Sequence, residues 1–215
     1  MTWADVVSML DGALITLLLS LTGIALGLPI GLAMALICWR RVPLAGALVA
    51  ACTSFLRASP LVTLVLLIFY GLPNVGIDLS PIAAGVLALT MNTSAFNCEV
   101  WRASLAELPK EQIEAALSVG MRSGLRLRRI VLPQVIRASV PGLVNEMTQL
   151  VKATPVLAVV GVVDITRAAV RIGADTYDPM PPLLVAIAIY VPMVFVLVSA
   201  QRWIERRRAR SEEQL

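Results

Sequence analysis

The chain has 215 residues, of which 58% are hydrophobic and 15% charged, and its formal net charge is +4. Soluble domains carry about 25% charged residues, so this composition indicates a membrane protein. The sequence holds no histidine, three isolated cysteines and no lysine that follows a glycine. These features argue against histidine-dependent hydrolysis, a disulfide framework and a nucleotide-binding phosphate loop.

Five apolar runs are long enough to predict membrane-spanning helices, each of which needs about 20 residues. The chain is therefore predicted to be an all-α, polytopic membrane protein with one transmembrane domain over residues 1–215. The predicted spans cover 14–38, 55–72, 82–100, 138–160 and 183–203. In the first span, Gly23, Gly27 and Gly31 recur at every fourth residue and predict a close helix contact. Between the last two spans, Asp164–Ile172 predicts a short surface helix.

The positions of lysine and arginine predict the orientation. Fifteen of the 18 lie in the 40–57 loop, in the 101–137 segment or in the tail from Arg202, whereas Arg167 and Arg171 lie on the opposite side. The positive-inside rule then places the N-terminus outside and the C-terminus in the cytoplasm. Because the basic residues flank apolar runs, they give no reason to expect nucleic-acid binding.

The polar segment at residues 101–135 predicts two short helices. Pro109 opens a helix over Lys110–Val119, and Gly120 ends it because glycine adopts left-handed backbone angles. Ser123 is predicted to cap a second, basic helix that runs to about Val131, and Pro133 is predicted to end it. The residues alone leave two interpretations open: an amphipathic linker that binds anionic lipid, or a docking element for a cytoplasmic partner.

A family resemblance favours the docking element. The segment Glu114-Ala115-Ala116, followed by Gly120 and Ile130-Val131-Leu132-Pro133, resembles the EAA loop of ABC importer permeases. The resemblance extends over about residues 12–203. Further stretches are similar to the polar amino acid uptake branch, among them Arg57-Ala58-Ser59-Pro60-Leu61, Asn92-Thr93-Ser94-Ala95-Phe96 and Asn145-Glu146.

The resemblance implies the five-helix architecture of a type I ABC importer permease in the bacterial inner membrane. It implies as partners a second permease subunit (identical or homologous), two ATP-binding subunits and an external solute-binding protein. ATP and magnesium would be bound by the ATP-binding subunits, so this chain is expected to hold no cofactor and to be no enzyme. The implied ATPase-docking residues are Glu114, Ala115, Ala116, Gly120, Ile130, Leu132 and Pro133. For Glu114, a local pair with arginines of the second helix is the alternative.

The fourth predicted span carries an unusual polar stripe. At about 100° per residue, Asn145, Glu146, Gln149 and Lys152 lie on one side of a helix. A charge at the bilayer centre costs about 2.5–3.5 kcal/mol, so such residues face the protein interior or a water-filled path. The stripe fits a pocket for a zwitterion, or else polar contacts that hold helices together. Just beyond Lys152, Thr154-Pro155 is predicted to break the helix. The candidate substrate-path residues are Glu146, Gln149, Lys152, Asn145, Thr154, Asn92 and Ser94.

The combined prediction is a permease subunit that moves a polar amino acid by alternating access, coupled to a separate ATPase. Relatives often carry an acidic or amide residue where this chain has Ala153. This departure weakens the case for a strongly cationic substrate, and it allows the chain to be the less substrate-engaged member of a heteromeric pair. The alternatives are transport of an opine or an ectoine-like derivative, an ion-coupled secondary carrier, and a membrane scaffold whose basic loop binds lipid.

Overall fold

The computed structural model describes residues 2–212, without the side chains of Ala200, Gln201 and 204–212. The basic tail that supports the predicted orientation therefore lies largely outside the described side chains. Every regular element within the described residues is helical, as predicted. The α-helices are α1 Trp3–Trp39, α2 Ala45–Ala58, α3 Leu61–Gly71, α4 Pro81–Ala106, α5 Lys110–Ser118, α6 Ser123–Arg126, α7 Leu132–Ala153, α8 Ile165–Thr176 and α9 Met180–Glu212.

The most extensive packing between two helices of the described chain joins α1 to α4 along the predicted glycine stripe. A Cβ atom placed on Gly27 would lie 2.7 Å from the Cβ of Thr93, and one placed on Gly31 would lie 2.9 Å from the carbonyl oxygen of Ser94. Both distances are shorter than van der Waals contact allows. The stripe is therefore a packing seam, and it fixes α4, which carries part of the candidate site.

Replacing Gly31 with alanine should destabilise the protein. The added methyl group would overlap the α4 backbone, and such overpacking costs about 1–3 kcal/mol. Gly46 is the matched control, because a Cβ atom there meets nothing closer than 4.0 Å. Gly46→Ala should stabilise its helix by up to about 1 kcal/mol. Thermal unfolding in detergent should show a lower melting temperature for Gly31→Ala and a higher one for Gly46→Ala. Equal melting temperatures of the two variants would contradict close packing along the stripe.

The second predicted span is not one helix. The chain bends by 107° between Ala45–Ala58 and the helical stretch Leu61–Val75. Ser59 takes extended angles (φ −81°, ψ 130°), because the following Pro60 disfavours the helical region for the residue before it. Pro60 also supplies no N–H group to continue the ladder of hydrogen bonds. The prediction of a continuous helix over 55–72 was therefore wrong.

The segment before the fourth span also differs from the prediction. Ser123 makes no capping bond and is the first residue of α6, with Arg122 before it. Pro133 does not end this helix, because a π-helical turn at Leu127–Val131 leads directly into α7. A wider turn shifts the hydrogen bonds, so the missing N–H of Pro133 falls in the first turn of α7.

The far end of α7 follows the prediction at Thr154-Pro155 but not the predicted span limit of 160. The α-helix stops at Ala153, and residues Thr154–Val160 form a 3₁₀ helix. After it, α8 begins at the cap residue Asp164, as predicted, but runs on to Thr176. One face of it, with Ile165, Ala168 and Ala169, is buried against α1 and α9, and the other face, with Val170 and Arg171, is exposed.

By length and composition alone, two helices within the described chain can cross a membrane, Trp3–Trp39 and Met180–Ser199, and the bent pair would make a third. Helices α4 and α7 cover most of the third and fourth predicted spans, but both carry several polar residues. The count of five spans therefore stays a prediction. The fifth predicted span, 183–203, lies within α9.

Candidate functional site

The predicted docking loop contains a well-defined helix end at Gly120. The N–H of Gly120 donates to the carbonyl of Leu117 at 2.9 Å, and the N–H of Met121 donates to the carbonyl of Ala116 at 3.0 Å. This pair of bonds is a Schellman motif, which requires a left-handed residue at the position of Gly120. Gly120 has φ +70°, and a Cβ atom there would meet nothing within 4 Å. Glycine is thus required for its backbone angles and not for space inside this chain.

The helix α5 presents a mixed surface away from the rest of the chain. Glu114 and Ala115 are exposed, whereas Ala116 is buried against the protein. Leu117 and Val119 are also strongly exposed, at 54% and 75%. The described residues include no salt-bridge partner of Glu114, although its alternative interpretation was a local pair with an arginine. A carboxylate, a small residue and two apolar side chains therefore remain available to a partner.

A single side chain connects α5 to α7. The Nε2 of Gln134 donates to the Oε1 of Gln112 at 2.6 Å and to the carbonyl of Ile130 at 3.0 Å. Gln134 therefore joins the docking helix to the turn that precedes α7. The other predicted docking residues lie on that turn or directly after it: Ile130 and Leu132 are partly buried, and Pro133 is exposed.

Breaking this connection should loosen α5. Gln134→Leu removes the bond to Gln112, and one hydrogen bond contributes about 1 kcal/mol. Hydrogen–deuterium exchange of the α5 amides should then become about fivefold faster. Gln112→Leu should have the same effect, and the double variant should add little to either. Fully additive effects of the two substitutions would contradict a direct bond.

The second feature is a polar pocket of about 330 Å³ between α4, α7 and the bend before α3. Pockets for small molecules begin at about this volume. Three predicted path residues, Asn92, Glu146 and Gln149, lie on its wall. Glu146 is partly buried and has no hydrogen bond or ion pair to another described residue. The remaining lining residues are Ser59, Leu61, Thr93, Phe96, Leu150 and Ala153.

The bend at Pro60 brings the N-terminal end of α3 to this pocket. Leu61 is the first residue of α3 and lines the pocket, and no side chain caps this helix. The first N–H groups of a helix have no partner within it and carry a partial positive charge. The pocket therefore joins the positive end of a helix with a carboxylate on α7.

Arg57 is a functional candidate that was not predicted as a site residue, although it opens the stretch 57–61 that resembles the amino acid uptake branch. Its guanidinium carbon lies 5.5 Å from the ring centre of Phe96, which lines the pocket. Its Nη1 lies 3.6 Å from the Oε2 of Glu99, and Arg57 also interacts electrostatically with Glu146. Its place two residues before Ser59-Pro60 was the available signal.

The other predicted path residues do not line this pocket. Asn145 is exposed outside it. Lys152 lines a separate, largely apolar groove against α9, beside Tyr190 and Phe195. The hydroxyls of Ser94 and Thr154 are buried and donate to nearby backbone carbonyls, at 2.6 Å to Thr90 and at 2.8 Å to Val151 at the end of α7.

Comparison with known proteins connects these two features. A family model described as the inner membrane component of binding-protein-dependent transport systems matches residues 27–210. The chain belongs to this family. The match covers α4, the segment 110–131 and α7, so the polar pocket and the predicted docking loop both lie within the matched region. The predicted permease of an ABC importer is confirmed.

The relatives narrow the family further. An arginine transport system permease protein of Bacillus subtilis (strain 168) is 34% identical over 72% of this chain and 71% of its own length. A histidine/lysine/arginine/ornithine transport system permease protein of Escherichia coli (strain K12) is 32% identical over 92% of both chains. A crystal structure of an amino acid ABC transporter with histidines has a TM-score of 0.86 at 30% identity, over 96% of this chain and 99% of that one. The predicted all-α permease architecture is thereby confirmed.

Proposed function

We propose that this permease carries a polar amino acid into the cell through the pocket between α4 and α7. The observation that carries this proposal is the presence of opposite charges at the pocket. Glu146 on α7 and Leu61 at the uncapped start of α3 both line the pocket, and the guanidinium of Arg57 lies beside the lining residue Phe96. A free amino acid is a zwitterion, so its ammonium group would pair with Glu146 and its carboxylate with the positive groups.

The side-chain specificity would come from the neutral part of the wall. Asn92, Gln149 and Ser59 offer amide and hydroxyl groups, and Ala153 leaves one wall position without a polar group. The described pocket holds one carboxylate, and the α-ammonium of the substrate would use it. This arrangement favours a neutral polar amino acid over a strongly cationic one, although the relatives named above include permeases for arginine and other basic amino acids. An opine or ectoine-like derivative stays the alternative cargo.

The segment 114–120, here called the docking turn, would couple transport to ATP hydrolysis. Glu114, Ala115 and the exposed apolar residues after them would enter a cleft of an ATP-binding subunit, and Gly120 would fix their direction. Two such subunits, a second permease subunit and an external solute-binding protein complete the proposed assembly. The charge distribution predicts that α5 lies in the cytoplasm and the N-terminus outside. The exposed Asn145 and Lys152 would face the second permease subunit or the path between the two subunits.

Uptake into proteoliposomes tests cargo and energy source together. The complex with its ATPase and binding protein should take up a radiolabelled neutral polar amino acid only when ATP is present on the side of α5. Uptake driven by a sodium or proton gradient without ATP would favour the ion-coupled carrier. ATP-dependent uptake of an opine, with no amino acid uptake, would retain the ABC importer and replace the proposed substrate by an opine. A complex that transports nothing, although its ATPase is active, would support the scaffold.

A further inference from the structure

We infer that Arg41 and Arg102 form a binding site for the phosphate of an anionic phospholipid. The two arginines line a cleft of about 290 Å³ where the end of α1 meets the end of α4, with Cys38, Trp39, Leu105 and Ala106. The cleft is separate from the polar pocket, which shares none of these residues. No residue assigned to the substrate pocket or to ATPase docking lies in this cleft, so the proposed function gives its two arginines no ligand.

The backbone at Arg41 is the first observation. Arg41 and Leu44 have φ angles of 51° and 61°, a region that residues with a Cβ rarely adopt. The N–H of Arg41 donates to the carbonyl of Cys38 at 3.0 Å, so this conformation closes the end of α1. At the comparable end of α5 the left-handed residue is a glycine, whereas at the end of α1 it is an arginine that lines the cleft. Residues held in such strained angles cluster at active sites and ligand-binding sites.

The charge balance is the second observation. Among the described residues, Arg41 has no ion pair, whereas the Nη1 of Arg102 lies 2.6 Å from the Oε1 of Glu99. Arg57 shares the other oxygen of the same carboxylate. One glutamate thus serves two arginines, and Arg41 adds a third positive charge. The exposed Glu107 follows the cleft residue Ala106 but does not line the cleft. A positive excess therefore remains for an anion.

The surroundings favour a lipid over a soluble ion. Trp39 and Leu105 give the cleft apolar walls beside its cations, and indole rings favour the level of the headgroups. The predicted orientation places this end of α1 at the cytoplasmic leaflet, which carries the anionic lipids. A guanidinium group binds phosphate through paired hydrogen bonds, and basic pockets between helices on this side bind phospholipid headgroups. Inorganic phosphate shares the anion but gains nothing from the apolar walls.

Native mass spectrometry of the complex tests the site. The probe is phosphatidylglycerol in equimolar mixture with phosphatidylcholine of the same acyl chains. Arg41→Gln should reduce the retained phosphatidylglycerol about tenfold. Arg40→Gln is the matched control, because Arg40 is the adjacent exposed arginine and does not line the cleft. It should retain the lipid. An equal loss of phosphatidylglycerol in both variants would mean that general surface charge binds the lipid, and it would contradict the proposed site.

Two further arms complete the test. Arg102→Gln should also lose the lipid, and quenching of Trp39 by brominated phosphatidylglycerol in the Arg41→Gln complex gives a second measurement if that variant assembles poorly. Quenching that is unchanged by Arg41→Gln would contradict the proposal. Displacement of the lipid by inorganic phosphate, but not by chloride at the same ionic strength, would show that the cleft binds soluble phosphate. This result would contradict the proposed lipid site.

Discussion

Replacing Gly120 with valine should abolish substrate-stimulated ATP hydrolysis and uptake while the permease still enters the membrane. A residue with a Cβ at φ +70° costs about 1–2 kcal/mol, and a β-branched residue costs more. The two bonds from Gly120 and Met121 that end α5 would then be lost. Glu114 and Ala115 would no longer point in a fixed direction, so the ATPase would dock poorly. Uptake in proteoliposomes, measured beside ATPase activity, gives the result.

Two matched variants separate backbone angle from side-chain size. Asparagine tolerates left-handed angles, so Gly120→Asn should retain much of the coupling. Gly124 also has open space around it, and it has no left-handed angle, so Gly124→Ala should leave coupling intact. Normal substrate-stimulated uptake by Gly120→Val would contradict the docking role of the turn. A loss in Gly120→Asn as large as in Gly120→Val would attribute the effect to a partner surface and not to the backbone.

Replacing Glu146 with glutamine should reduce uptake strongly without affecting assembly. The substitution keeps the volume of the side chain and removes the charge that we assign to the substrate ammonium. Hydrogen bonds to charged groups contribute about 1.5–3 kcal/mol, which corresponds to about a 10- to 100-fold loss of affinity for the substrate. Transport assays over a range of substrate concentrations should therefore show a raised half-saturation concentration. Basal ATP hydrolysis should be unchanged, because Glu146 is distant from the docking turn in the chain.

The charge, and not the polarity, is the tested property of Glu146. Glu146→Asp should recover part of the uptake, since it keeps the carboxylate. Glu107→Gln removes an exposed carboxylate outside the pocket and should transport normally. Unchanged uptake in Glu146→Gln would remove this residue from the substrate path and return it to the alternative role of holding helices together.

Residues that act through local backbone chemistry could be predicted from the sequence. Gly120 was predicted to end a helix in a left-handed conformation, and the structure shows this turn with φ +70°. Thr154-Pro155 was predicted to interrupt the fourth span, and α7 stops one residue before it. The glycine stripe of α1 was predicted to lie against another helix, and it contacts α4. Each of these three predictions was made from residues that lie close together in the sequence.

Features that depend on distant packing could not be predicted. Hydropathy does not distinguish a straight span from two helices bent at Pro60, since both are apolar. The helical period placed Lys152 on the same stripe as Glu146, but Lys152 lies in a groove against α9. Arg57 was not predicted as a site residue, because the sequence does not show that its guanidinium lies beside Phe96 of the pocket. Pro133 was predicted to end a helix, because the sequence does not show the π-helical turn that lets the helix continue into α7.

Cross-linking from Ala115 tests the central claim most directly. Ala115 is an exposed small residue in the centre of the docking surface, and the native cysteines Cys38, Cys52 and Cys98 can first be replaced by serine. In the assembled complex, Ala115→Cys carrying a photoactivatable thiol reagent should cross-link to the ATP-binding subunit, and ATP should change the yield. Val170→Cys, exposed on α8, should not. Equal cross-linking from both positions, or none from Ala115, would contradict the account.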